Sequence, residues 1–425
     1  MKAFLSHRLV WPAAVLLALL VANQVANHSF LSITVQDGNL FGPLIDILRR
    51  AAPVVLVALG MTLVIATRGI DLSVGAVAAI SGSWASMYII GSADRASVGV
   101  VLTAIGVALL MALVAGMWNG FLVSVLGIQP IVATLVLMTA GRGLAQVITD
   151  EKILYPDNSP AYKLIGGGYL LAVPFSILLA GAIFALTAVL TRKTALGTLI
   201  ESVGVNPEAS RLAGVRARTI IFIVYVFSGL CAGLAGLMLT SNSTSADPNS
   251  IGLFIELDAI LAVVIGGTSL AGGRFSLAGT LIGAFIIETM DTFVVIAISA
   301  RSTDVFKACV VIVVCLLQSP QARSWLVHTV LRRPVRRPAP PPPPPAAVDA
   351  PVAVPDAGTL IADAAATGDD PSAPTGSAVT GNAATESSVT GSAATAADSM
   401  DPAATGSGRS TAGAPRSDEY TVRTR

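Results

Sequence analysis

The chain has 425 residues, 54% hydrophobic and only 12% charged, with a formal net charge of +1. It carries no basic stripe with interleaved aromatics, which excludes a nucleic-acid partner, and it has more long apolar stretches than a soluble core uses. The averages hide two unlike parts: residues 1–333 are apolar runs with short polar breaks, and residues 334–425 are almost free of large apolar side chains.

The pattern of the first part predicts an all-α, polytopic helical membrane protein with about ten transmembrane segments. In chain order these are Leu9–Ala26, Ala51–Thr67, Val74–Gly91, Val98–Leu126, Pro130–Ile148, Leu170–Leu190, Ile220–Leu239, Leu257–Leu270, Leu277–Met290 and Val305–Leu317. Lys2 and Arg8 precede the first run, and Val21-Ala22-Asn23 is a poor cleavage pattern, so an uncleaved helix is expected rather than a signal peptide. Leu44 to Leu48 reads as a short interfacial helix, with Arg49 and Arg50 snorkelling beside it. Several segments fall short of the ~20 residues a perpendicular span needs, so short or broken helices facing protein or a cavity are expected.

One break stands out. Thr67-Arg68-Gly69-Ile70-Asp71-Leu72-Ser73-Val74-Gly75 puts two opposite charges between uncharged runs. An ionisable group at bilayer depth is costly and marks a functional site. Span counting puts the break at the inner boundary, where charge is cheap. There Gly69 is expected to end one helix, and Asp71 or Ser73 to cap the next. The other polar points in the apolar part are Asn119, Gln129, Arg142, Glu256, Asp258, Glu288 and Asp291. Each suits the lining of a polar path, and each equally suits a helix cap or an interhelical hydrogen bond. Glu256 and Asp258 open a segment, where anions favour the helix dipole.

Two loops are long, Asp150–Gly168 and the basic Thr191–Thr219. Within the second, Asn206 is an N-cap, Pro207 a first helical residue and Glu208 a first-turn acid. Arg211 sits late, and Gly214 can end the helix. A short capped helix in such a loop suits docking, or simply lies at the interface. With the N-terminus inside, basic residues concentrate on inner breaks, which puts both termini in the cytoplasm.

From Pro334 the composition changes to Pro, Ala, Thr, Gly and Ser, including six consecutive prolines at Pro340–Pro345. Such a segment cannot bury enough apolar area to offset its ordering entropy, and a disordered cytoplasmic tail over 334–425 is expected.

Chemistry is sparse. Cys231, Cys309 and Cys315 lie in apolar runs, and His7, His28 and His328 are scattered, so neither a metal site nor a catalytic constellation can be built. No Walker A loop is present, so the chain is not expected to be an enzyme, and any ATP chemistry needs another subunit.

Several stretches carry a family resemblance. Gly69–Gly75 (GIDLSVG), Trp118–Gly120, Gln129–Leu135 (QPIVATL), Val205–Val215 (VNPEASRLAGV) and Glu256–Arg274 (ELDAILAVVIGGTSLAGGR) resemble permease subunits of monosaccharide ABC importers of the ribose/xylose/galactose group. Gln36-Asp37-Gly38, Leu40-Phe41-Gly42, Ile45–Leu48 and Ala140–Gly143 are most similar to the galactofuranose-type permease. The resemblance implies the ABC importer permease fold and a second permease subunit, identical or related. It also implies a cytoplasmic ABC ATPase that uses ATP, and an extracytoplasmic sugar-binding protein. No cofactor is implied on this subunit. By the same resemblance Asn206, Pro207, Glu208, Ala209, Arg211 and Gly214 form the segment that docks on the ATPase. Where the family commonly has a second glycine, this chain has Arg68. A proton-coupled secondary sugar transporter, with Glu288, Asp291 or Asp71 as carrier, and a passive channel are the alternatives.

Overall fold

A computed structural model describes residues 9–297 and Ile312, all within a unit spanning Met1–Pro338. The expected segment Val305–Leu317 and the expected tail 334–425 lie outside the described residues, as do His328, Cys309 and Cys315.

Twelve helices are described: α1 (Val10–Ala26), α2 (Pro43–Ala66), α3 (Val74–Gly91), α4 (Val98–Ser124), α5 (Pro130–Thr149), α6 (Pro160–Gly167), α7 (Phe175–Lys193), α8 (Leu196–Val205), α9 (Pro207–Leu212), α10 (Ala217–Ser243), α11 (Ile255–Ile265) and α12 (Leu277–Ala297). Two antiparallel hairpins accompany them, β1 (Thr34–Gln36) with β2 (Asn39–Phe41) and β3 (Tyr169–Leu170) with β4 (Val173–Pro174). Helices α2, α3, α4, α5, α7, α10 and α12 are long and apolar enough to cross a membrane. The protein is a polytopic helical membrane protein. Helices α1 and α11 correspond to the first and eighth expected segments but have 17 and 11 residues.

Helix α2 is the axis. Every residue from Ala51 to Ala66 is buried, and a helix apolar on all sides belongs in the middle of a bundle. Its start corrects the expectation of a separate interfacial helix: Leu44–Leu48 belongs to α2, which runs through Arg49, Arg50 and Pro53 without a break. Arg49 is held by Asp46 one turn earlier, at 3.1 Å.

Helix α10 packs against α2, α3 and α4, and α12 covers α2, α11 and α1. Small residues permit this. A Cβ on Gly236 would overlap the backbone of Ala78 in α3, so only glycine allows that crossing. Hydroxyls add cross-links: Thr62 of α2 meets Thr280 of α12 at 2.8 Å, and Ser81 of α3 donates to Gly233 O of α10 at 2.9 Å.

Two loops carry structure the sequence did not suggest. The 191–219 loop holds two helices, α8 and α9, rather than one. Within the other, α6 is tied to α10 by Ser241, whose hydroxyl donates to Tyr162 O and accepts from Gly166 N. Helix α11 stops at Ile265, five residues before the expected end. Gly266 caps it, and Gly267 takes φ +85°.

Candidate functional site in the 67–75 loop and the helix α9 face

The loop between α2 and α3 begins with a helix stop of defined geometry. Arg68 N donates to Ile65 O and Gly69 N to Val64 O, both at 2.9 Å, and Arg68 has φ +67°. This is a Schellman ending, whose left-handed residue is usually glycine. The expectation that Gly69 ends the helix is therefore corrected by one residue: Arg68 takes the left-handed position. A glycine would take the same backbone without strain.

The loop then turns inward. Asp71 is 2% exposed, which overturns its expected place at a charge-tolerant boundary. Its Oδ1 accepts from Ser73 N at 3.1 Å, from Ser73 Oγ at 2.6 Å and from Asn119 Nδ2 at 3.5 Å. Its Oδ2 accepts from Ser228 Oγ at 2.9 Å, and Asn119 Nδ2 also donates to Ser73 Oγ at 2.8 Å. Ser228 lies about 16 Å along α10 from its start. The carboxylate thus sits inside the bundle, joining α4 and α10 to the first residues of α3. It also shapes the turn, because the Asp71–Ser73 bonds close an Asx-type loop. Ser73 precedes α3, but its side chain does not cap it.

A second polar group lies on the other side of that helix start. Arg142 of α5 donates to the carbonyls of Ile251 at 2.5 Å and Gly252 at 2.9 Å. Glu256, in the first turn of α11, is 4% exposed. A Cβ on Gly75 would collide with Glu256 Oε2 and Gly252 O and lie 3.1 Å from Arg142 Nη2. Gly75 is thus the one residue type that lets α3, α5 and α11 meet. Asp71 and Glu256 flank the N-terminus of α3, the positive end of its dipole.

Of the expected polar residues, Asp71, Ser73 and Asn119 form one cluster, and Arg142 and Glu256 another, with α3 between them. Asp258 is half-buried on the next part of α11, and Gln129 is exposed at the start of α5. Thr134, four residues beyond Pro130, reaches Ile70 O at 3.3 Å and brings the 129–135 stretch to the loop. Sequence reading missed Ser228, Gly252 and Tyr225, a residue of α10 whose hydroxyl packs against Gly69. Tyr225 and Ser228 did leave a signal: two polar groups three apart inside an apolar run share a helix face.

On the face that carries the end of α2, α9 has a complete cap. Asn206 Oδ1 accepts from Glu208 N and Ala209 N, both at 3.0 Å, with Pro207 at the first position. Val215 N donates to Ser210 O and Gly214 N to Arg211 O, with Gly214 at φ +85°. Arg211 pairs with Glu208 at 2.5 Å, and that hydrogen bond holds the Glu208 carboxyl below its usual range. Pro207, Glu208, Arg211, Arg216 and Arg218 line an open groove of about 890 Å³.

Residues 44–315 match the family model described as "Branched-chain amino acid transport system / permease component". The chain belongs to this permease family. It is 50% identical to the galactofuranose transporter permease protein of Escherichia coli K12, over 74% of this chain and 92% of that protein. It is 40% identical to the fructose import permease protein of Bifidobacterium longum, over 80% and 95% of the two chains. It is 36% identical to the ribose import permease protein of Escherichia coli K12, over 65% and 85%. No solved structure matches. As a permease component, the protein is a transport subunit and not an enzyme.

Proposed function

We propose that this chain is the membrane-spanning permease of an ATP-driven importer for a monosaccharide, galactofuranose or a related sugar. The observation that carries the reading is the 50% identity, over nearly the whole relative, to a galactofuranose transporter permease. Fructose and ribose permeases at lower identity support the sugar class over the amino acids in the family's description. A cytoplasmic ABC ATPase binds the α9 face, an extracytoplasmic sugar-binding protein the opposite face, and a second permease subunit completes the pore. Both termini are cytoplasmic, in keeping with the basic residues Arg192, Lys193, Arg211, Arg216 and Arg218 around α8 and α9.

Helix α9 joins α10 through Gly214–Arg216, and α10 holds Asp71 through Ser228. Closure of the ATPase displaces α9. The displacement then travels along α10 to the 67–75 loop, whose polar network has two faces to break and remake. A neutral sugar presents hydroxyls, so the path needs polar groups already satisfied by each other rather than a free charge. Tight binding here would slow release.

Membrane vesicles test the energy source. Uptake should require internal ATP and the ATPase, with galactofuranose competing better than branched-chain amino acids. Uptake driven by a proton gradient with no ATPase present would replace this reading with a secondary transporter.

A further inference from the structure

Arg68 is the point where the chain spends conformational strain. A left-handed φ of +67° is costly for a residue with a Cβ, and a glycine would take it freely. Its side chain does something a glycine cannot. The guanidinium Nη2 donates to the carbonyl of Val205, the last residue of α8, 137 positions away. Val205 immediately precedes Asn206, the cap of α9.

The contact is part of a three-way clasp. Gly273 N donates to Ala66 O at 2.9 Å, in the last turn of α2. A Cβ on Gly204 would overlap that same Ala66 carbonyl, and a Cβ on Gly272 would overlap the Arg68 Cγ. The ends of α2 and α8 and the 272–273 turn therefore meet backbone to backbone, with the Arg68 side chain laid across them. Three residues beyond Arg68 is Asp71, anchored to α4 and α10. The side chain thus ties the start of α9 to the mouth of the polar loop by a path that does not pass through α10. The bond is solvent-accessible, so it can open and close without stranding a buried charge.

We propose that Arg68 is a positioning residue for coupling: it makes the 67–73 loop follow the α8–α9 junction when the ATPase moves it. This rests on the importer reading, with residues 206–214 as the ATPase contact.

The test uses the full transporter with its ATPase and binding protein in proteoliposomes, measuring ATP hydrolysed per sugar imported. R68G relieves the left-handed strain, so assembly and thermal midpoint should match or exceed wild type. Its ATP-to-sugar ratio should rise about fivefold, the scale of a lost charged hydrogen bond in a coupling path. R68K keeps one donor and should fall between the two. A wild-type ratio in R68G overturns the proposal. So does R68K behaving like wild type if R68G assembles poorly. A merely structural role would lower the thermal midpoint and leave the ratio unmoved. If the wild-type protein hydrolyses ATP without importing sugar, the importer reading fails first and the role of Arg68 falls with it.

Discussion

Asp71 shows how a single carboxylate can organise three helices. Its partners are neutral donors: the Ser73 amide and hydroxyl, the Ser228 hydroxyl and the Asn119 amide. Removing the acceptor strands the buried Ser73 amide and the Ser73 and Ser228 hydroxyls, whereas Asn119 keeps its bond to Ser73 Oγ, and stranded donors cost more than the bonds contributed. Asp71→Ala should therefore destabilise the purified protein by about 2 kcal/mol. Asp71→Asn retains one acceptor oxygen and should lose less, and thermal unfolding in detergent orders the two variants. The Glu208–Arg211 pair behaves differently because it lies on the surface. Hydrogen bonding and charge from Arg211 lower the Glu208 pKa in the folded state, so the pairing is intact above the ordinary carboxylate range. It is lost only as pH falls through the lowered value. Between about pH 6 and pH 8, uptake should show no titration from Glu208, and Glu208→Gln should leave the shape of the pH profile unchanged.

At the scale of elements, the sequence was most legible where punctuation is strong. Asn206-Pro207 and Gly214 bracket α9, and Pro130 opens α5. It was least legible where burial overrides local cues. The Arg49-Arg50 pair looks like a boundary, yet α2 continues through it: Asp46 holds Arg49, Arg50 is exposed, and Ala51–Ala66 beyond them are buried. The depth of Asp71 was hidden for a related reason. Counting spans assumes that each loop sits at a surface, whereas this loop re-enters the bundle to meet Ser228 and Asn119, residues 157 and 48 positions away. Likewise Gly75 reads as a small residue in an apolar run, and only packing reveals Glu256 and Gly252 against it. Helix α9 itself depends on its cap, because six residues are too few to hold a helix by propensity alone. Asn206→Ala should weaken it by about 1 kcal/mol. Hydrogen exchange should then quicken at Glu208 and Ala209, the amides Asn206 accepts from, with α10 unaffected.

The whole molecule places a capped surface helix at the start of one long helix and a buried polar loop about 16 Å along it. Helix α10 has 27 residues, enough to reach about 40 Å, so it spans the bundle and touches both sites. In the proposed mechanism this arrangement makes the permease a lever rather than a binding site. We propose that residues 338–425, whose composition reads as a solvated spacer, take no part in that lever, and deleting them should leave uptake unchanged at equal expression. A loss of uptake would give the tail a function. In the proposed mechanism, α9 carries the ATPase stroke into the Asp71 loop. Gly214→Pro imposes φ near −65° where the chain holds +85° and removes the amide that donates to Arg211 O. Glu208→Arg reverses the charge beside Arg211 without touching the backbone. The direct test measures sugar uptake and ATP hydrolysis in the same proteoliposomes. Both variants should insert and assemble, with uptake falling about tenfold or more while ATP hydrolysis continues. Wild-type uptake per ATP in both variants would contradict it.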